Sequence, residues 1–275
     1  MGSITIPDPL PSPTQDSEKL RKAFQGLGTD EQAIIDILGH RNANQRMRIS
    51  QAYQQLYKQS LIYSLHSELS GDFGKAVIMW ATDPPERDAK LAKEALLSVI
   101  IEIACASSPH HLIAVRQAYC FHYNCSLEED ILRKLLLAMV SSYRYDREEV
   151  DETSAKSEAV TLHDSIVIWI LSTRNKFQLK ATFNCYRQCY GKAIDQYATL
   201  LRTVICCIDS PEKHFAEVVK ASVQGLGTDE DSLTRAIVTR AEIDLVKVKE
   251  EYYKTSLVVG DTSGDYKNFL VTLIG

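Results

Sequence analysis

The chain is patterned for helices almost throughout, because apolar residues recur at intervals of three and four with little strict alternation. The pattern also repeats at long range. Short apolar stretches, each ending in Arg or Ser, follow one another at spacings of 66, 67 and 66 residues. A unit of this length has room for four or five helices and is too long for the common short helical repeats. We therefore predict an all-α fold of four repeats, anchored at Arg41, Ser107, Arg174 and Arg240.

Two other sequence features recur once in each repeat, along with the anchor. A tyrosine lies twelve residues after each anchor, and an apolar run that predicts a closing helix ends each repeat. We expect these tyrosines to pack within and between repeats. They are Tyr53, Tyr119, Tyr186 and Tyr252, and the closing runs are 73–80, 132–139, 197–204 and 266–273. The predicted organisation is a Pro-rich lead over 1–16 and repeats over 17–82, 83–148, 149–210 and 211–275.

One six-residue stretch, Gly-Leu-Gly-Thr-Asp-Glu, occurs at 26–31 and again at 225–230. Its glycines allow a tight turn with exposed carbonyls, and Thr-Asp-Glu is typical of a helix start. A single copy is most simply an ordinary turn with a capped helix. Each copy is followed at a distance by an acidic turn, at 67–72 and 260–265. Carbonyl and carboxylate oxygens are the ligands of Ca²⁺, so the paired copies predict calcium sites. The motifs of phosphate loops and dinucleotide-binding loops are absent from both stretches.

The four repeats are unequal. The interval from anchor to closing run is 32 residues in the first repeat, but 25, 23 and 26 residues in the others. Repeats 2 and 3 also lack a Gly-x-Gly before their first helix. Repeats 1 and 4 are therefore predicted to bind metal, while the two middle repeats are predicted spacers.

Composition limits the partners. The formal net charge of −5 disfavours nucleic acid, and approach to an anionic membrane would need a bound cation. The first residues do not form a signal peptide, and no apolar run is long enough to span a bilayer. Seven cysteines without Cys-x2-Cys pairs predict reduced thiols. We expect a cytoplasmic protein that binds membranes peripherally when Ca²⁺ is present.

The loops, the 66-residue repeat and the stretches 239–245 and 260–266 resemble the annexin family over nearly the whole chain after the lead. Loops that are kept only in repeats 1 and 4, after a short lead, resemble its plant branch. The resemblance implies four five-helix repeats in a curved disc whose convex face holds Ca²⁺ and docks on acidic phospholipid. It implies that repeat 1 would bind Ca²⁺ through carbonyls of Phe24, Gly26 and Gly28 and the carboxylate of Glu68. Repeat 4 would use carbonyls of Val223, Gly225 and Gly227, with Asp261 and a carbonyl of Thr262.

Leu27 and Leu226, at the loop tips, are predicted membrane contacts, with packing against their own helices as the alternative.

The resemblance also raises a peroxidase-like, redox or nucleotide-hydrolysing activity, with His40 as a haem candidate and Cys105 and Cys207 as a redox pair. Packed side chains are the simpler interpretation of all three residues. A helical scaffold that binds proteins without metal is a further alternative. F-actin and an oligomer on the membrane remain open as partners, and we expect no enzymatic function.

Overall fold

The computed structural model describes residues 2–26, 28–94, 97–131, 199–224, 227–253 and 263–275, and every regular element in these ranges is a helix. This confirms the all-α prediction. The predicted repeat boundaries remain a prediction, and repeat 3 lies almost wholly outside the described residues. The helices used below are α1 (Pro13–Ala23), α2 (Glu31–Leu38), α3 (Ala43–Tyr57), α4 (Leu61–Glu68), α5 (Gly71–Ala81), α6 (Pro84–Glu94), α7 (Leu97–Ala106), α8 (Pro109–Tyr123), α9 (Thr199–Asp209), α10 (Pro211–Val223), α11 (Glu230–Arg240), α12 (Leu245–Tyr253) and α13 (Gly264–Ile274).

The chain divides into two compact units, one of residues 1–87 with 212–275 and the other of residues 88–211. The first unit holds the predicted repeats 1 and 4, which are remote in sequence. Within it, α5 packs against α11 and α13, and α13 also packs against α2. Both glycine loops therefore belong to the first unit.

Large aromatic side chains fill the core of the first unit. Trp80 is fully buried, and its indole N–H donates to the carbonyl of Leu38 at 2.7 Å. The rings of Phe73 and Phe269 meet edge to face with centroids 6.1 Å apart, which joins α5 to α13. Such pairs contribute beyond the area they bury. The closing helices of repeats 1 and 4 therefore pack against each other through their apolar faces.

The repeated tyrosines are structural. Tyr53, Tyr119 and Tyr252 are all buried, which confirms the expected packing for three of the four positions. Tyr186 lies outside the described residues. In repeat 1 the ring of Tyr53 contacts that of Phe24 edge to face, with centroids 6.2 Å apart.

Two anchor arginines are buried, each against a carboxylate. Arg41 bonds Asp16 of α1 through two nitrogens, with Nε–Oδ2 at 2.7 Å and Nη2–Oδ1 at 2.9 Å. Arg240 instead bonds both oxygens of Asp244, four residues further along. Its guanidinium also lies 4.7 Å from the ring centroid of Phe215. A buried guanidinium needs such a partner, because an unpaired charge in the interior is strongly destabilising.

The second unit has its own small core. There, α7 packs against α9. A hydrogen-bonded group stands beside the apolar cluster: Asp130 accepts from Lys93 at 2.7 Å and from the hydroxyl of Tyr119 at 2.6 Å. Burial is the main cause that raises the pKa of the Tyr119 hydroxyl, and the hydrogen bond to Asp130 raises it further. The buried members of the cluster are Ala89, Ala92, Ile103, Val115 and Tyr119.

The lead is anchored at both ends to the first unit. The backbone N–H of Ser3 donates to Ala241 at 2.9 Å, and its hydroxyl donates to the carbonyl of Leu273. At the other end, Ser12 and Gln15 form a capping box that starts α1. The lead, which continues directly into α1 of repeat 1, is therefore hydrogen-bonded at its start to repeat 4.

Candidate functional site

The first glycine loop joins the end of α1 to the start of α2. Gly26 has φ 137° and Gly28 has φ 94°, backbone conformations that favour glycine strongly. A Cβ atom at either position would meet no atom within 4 Å, so backbone conformation, and not lack of space, is the reason that glycine is favoured here. Asp30 closes the loop. Its backbone N–H donates to the carbonyl of Ala23 at 3.0 Å, and its carboxylate caps α2 by accepting from the backbone N–H of Ala33 at 3.0 Å. This is the predicted capped helix start.

The distant acidic turn lies beside this loop. The hydroxyl of Thr29 donates to the backbone carbonyl of Glu68 at 3.3 Å. Glu68 is the last residue of α4, and its side chain is exposed. The structure therefore brings together two parts of the predicted ligand set that are 40 residues apart, counted from Gly28 to Glu68.

The second loop has the same backbone course wherever both are described. Gly227 has φ 102°, against 94° at its counterpart in repeat 1. The helix cap Asp229 has φ −86° and ψ 87°, and its counterpart has φ −88° and ψ 85°. The backbone N–H of Asp229 donates to the carbonyl of Ser222 at 2.7 Å, which is equivalent to the bond from Asp30 to Ala23 in the first loop. Val223 ends α10 just before the loop.

Several predicted site residues lie outside the described residues, and their roles stay predictions. They are the loop-tip leucines Leu27 and Leu226, the second-loop glycine Gly225, and the acid and carbonyl predicted to complete that site, Asp261 and Thr262.

The donor chemistry of the first loop fits a hard cation. Glycine carbonyls and a nearby exposed carboxylate are oxygen ligands of the kind that Ca²⁺ prefers. Within the described ranges no group of three or more His, Cys, Asp or Glu side chains could hold a metal ion. Phe24, Gly26, Gly28 and Glu68 are the residues that would hold Ca²⁺ in repeat 1.

A bridge between the surroundings of the two loops was not foreseen from the sequence. Lys75 on α5 lies 3.3 Å from Asp72 and 3.1 Å from Asp231 at the start of α11. Hydrogen bonds to Asp231 and then to Asp72 raise the pKa of the lysine. The spacing of Lys75 and Asp72 is visible in the sequence, but a partner 156 residues away is not.

The candidates for redox or haem chemistry are divided between the two units. His40 is half-buried after the end of α2, and its Nδ1 is 3.1 Å from the carbonyl of Asp36. Cys105 is half-buried on α7 and Cys207 is buried on α9, and these two helices pack together. His40 belongs to the first unit and both cysteines to the second.

Within the part of the chain that the structure describes, none of the helices combines the length and the apolar character needed to cross a bilayer.

Comparison with known proteins identifies the fold family. A sequence model described as Annexin matches residues 15–80 and 214–273, which are the two loop-bearing repeats. Annexin D3 from Arabidopsis thaliana is 48% identical over 318 aligned residues, covering 100% of this chain and 99% of that protein. An alignment of 318 positions to a chain of 275 residues places gaps in this chain, in agreement with its short intervals.

Solved structures agree with the sequence comparison. The structure of annexin III is 32% identical with a TM-score of 0.82, covering 100% of this chain and 97% of that one. A structure described as calcium-bound annexin (Sm)1 is 28% identical with a TM-score of 0.79, covering 100% of this chain and 93% of that one. The predicted resemblance, including the plant relatives, is confirmed, and the chain belongs to the annexin family.

Proposed function

We propose that this protein docks on acidic phospholipid membranes through Ca²⁺ held in the glycine loops of repeats 1 and 4. Family and fold support calcium-dependent phospholipid binding in general. One solved relative is described as calcium-bound. The assignment to these two loops is our own, and it is a binding function and not a catalytic one.

The contact between Thr29 and the Glu68 carbonyl is the observation that supports the site most directly. It holds an exposed acid beside a glycine loop whose carbonyls come from Phe24, Gly26 and Gly28. In repeat 4 the matching loop geometry at Gly227 supports the same role. Val223, Gly225, Asp261 and Thr262 complete the proposed second site.

Charge explains why docking would depend on the cation. The protein carries a formal net charge of −5, so an acidic lipid surface repels it at long range. Bound Ca²⁺ supplies two positive charges per site and accepts phosphate oxygens as ligands. Leu27 and Leu226, at the loop tips, would then reach the lipid interface.

Co-sedimentation with acidic liposomes, with and without Ca²⁺, tests this proposal. Wild type should pellet only with Ca²⁺, and Glu68→Gln should lose most of that binding while its helical circular dichroism stays unchanged. Glu18→Gln, which removes the same charge from an exposed position of α1, is the matched control and should bind like wild type. An unchanged calcium requirement in Glu68→Gln would contradict the site assignment.

A further inference from the structure

Lys75 holds together the starts of two helices that follow the two proposed calcium sites. Its Nζ lies 3.3 Å from Asp72 in the first turn of α5, four residues after Glu68. It also lies 3.1 Å from Asp231 in the first turn of α11, four residues after Gly227. One side chain therefore contacts the acidic group beside each loop.

All three side chains are exposed, with 59% of Lys75, 42% of Asp72 and 79% of Asp231 accessible to solvent. An exposed ion pair of this kind contributes little to folding. The three groups lie at the loop end of their helices, where the proposed docking surface is. Their contribution should therefore appear on the membrane and not in the stability of the free protein.

We infer that Lys75 is a positioning residue for membrane docking: it neutralises Asp72 and Asp231 and keeps the two calcium loops side by side on the lipid. This inference rests on the proposed function. Near an anionic surface, uncompensated carboxylates are repelled and would have to lose water. A cation that remains paired with both of them removes much of that penalty.

The inference predicts effects of opposite sign in two measurements. A positive charge near a cation site disfavours a second cation, and Lys75 also neutralises two carboxylates that would otherwise attract one. Lys75→Gln should therefore bind Ca²⁺ slightly more tightly in solution, measured by calorimetry without lipid. The same variant should need several-fold more Ca²⁺ for half-maximal binding to vesicles of phosphatidylcholine and phosphatidylserine.

Two control variants separate this effect from a general loss of charge. Lys75→Arg keeps a cation between the acids and should restore vesicle binding to near the wild-type level. Lys58→Gln removes an exposed lysine that caps the end of α3 and precedes α4. The whole of α4, about 12 Å long, separates it along the chain from Glu68. It should leave the vesicle titration unchanged. If Lys75→Gln and Lys58→Gln give the same titration, the inference is wrong.

A double variant tests neutralisation of the acids against direct contact between Lys75 and lipid phosphate. Asp231→Asn removes one of the charges that Lys75 neutralises. Lys75→Gln with Asp231→Asn should therefore recover most of the binding lost in Lys75→Gln alone. If the double variant stays as weak as Lys75→Gln, the lysine acts on the lipid directly and the inference is overturned.

Glu68→Gln, run in the same titration, distinguishes failure of the inference from failure of the proposed function. Calcium-dependent vesicle binding that survives in Glu68→Gln overturns the proposed site, and with it the basis of the inference. Loss of binding in Glu68→Gln, together with a wild-type titration for Lys75→Gln, overturns the inference alone.

Discussion

Repeats 1 and 4 close their glycine loops with the same backbone angles at the described residues but pair their buried anchor arginine differently. The helix caps that close the two loops have backbone angles within a few degrees of each other. Arg41, which follows α2, pairs with Asp16 on α1. Arg240 pairs with Asp244, four residues further along. The described ends of the two loops have matching backbone angles, while the buried arginines beneath them are paired in two different ways.

The different pairing of the two arginines follows from two positions at which the carboxylate is present in one repeat and absent from the other. Counting 199 residues forward, Phe215 stands in repeat 4 where repeat 1 has Asp16, and Asp244 stands where repeat 1 has Gln45. Phe215 packs under the guanidinium of Arg240, and Gln45 belongs to the capping box of α3. Each repeat thus supplies the buried arginine with one carboxylate. In repeat 1 that carboxylate also ties α1 to the anchor, which makes it the more far-reaching contact.

Replacing the carboxylate partner should have the largest effect on stability. Asp16→Asn keeps the shape but leaves Arg41 buried without a counter-charge, which should cost about 3–5 kcal/mol of unfolding free energy. Asp244→Asn should cost less, because Asp244 is 9% exposed against 1% for Asp16 and its pair is local. Urea unfolding of both variants measures the difference.

The control for this comparison is Asp36→Asn on the exposed face of α2. A surface substitution of this kind should change stability by no more than about 0.5 kcal/mol. Equal losses in Asp16→Asn and Asp244→Asn would show that the inter-helix contact adds nothing beyond neutralisation of the arginine.

The next effect concerns calcium. Glu68 follows Gly28 by 40 residues, whereas Asp261 follows Gly227 by only 34. We expect repeat 1 to bind Ca²⁺ more tightly, so that Glu68→Gln lowers calcium affinity by about tenfold or more and Asp261→Asn by less. Acidic vesicles should tighten both sites, because lipid phosphate adds ligands. Calorimetric titration with and without vesicles measures each step. If Asp261→Asn costs as much as Glu68→Gln, the short link is harmless and this ranking is wrong.

Sequence periodicity was sufficient for the fold class and for the elements around the first site. Apolar spacing and the anchors predicted helices, and the buried Tyr53, Tyr119 and Tyr252 confirm that the repeated tyrosines pack. The glycine loop and its capped helix were predictable because turn chemistry is local. The nearness of Glu68 to the first loop was implied by the family resemblance, and the contact from Thr29 supports it.

Contacts between repeats could not be predicted in the same way. Lys75 and Asp231 are 156 residues apart, and nothing in the spacing of either residue indicates the other. The partner of Arg41 was also missed, because any of several acids in repeat 1 could have supplied the carboxylate. Periodicity specifies which face of a helix is buried, but the choice of a polar partner depends on how the helices pack against one another in three dimensions.

A smaller effect tests the link between loop and acid in repeat 1. Thr29→Val keeps the side-chain shape but removes the hydroxyl that donates to Glu68. A hydrogen bond of this kind contributes about 0.5–1.5 kcal/mol, so calcium affinity should fall by roughly two- to tenfold. Thr29→Ser should retain most of the affinity. Calorimetric titration of both variants is the measurement, and equal affinities for Val and Ser would show that the contact does not position the acid.

The closing helices offer the last contrast between the two repeats. Phe73 in α5 and Tyr266 in α13 stand at equivalent positions, two residues after the glycine that begins each helix. The hydroxyl of Tyr266 is buried against Thr234 at 2.8 Å and donates to the carbonyl of Glu230 at 3.1 Å. Burial raises the pKa of Tyr266 to about 12. Of these two repeats, repeat 4 therefore carries the ionisable side chain at this position.

Tyr266→Phe makes repeat 4 resemble repeat 1 at this position and should have the smallest effect, a loss under about 1 kcal/mol at neutral pH. The sign of its pH dependence follows from the raised pKa. A neutral phenol favoured by the fold contributes stability that is complete below pH 10 and is lost as the pH rises through about 12. Wild-type stability should therefore fall more steeply than that of Tyr266→Phe over this range, because other tyrosines titrate equally in both proteins. Urea midpoints measured from pH 9 upward test this, and parallel curves would mean that the Tyr266 hydroxyl ionises in the folded state as freely as in the unfolded chain.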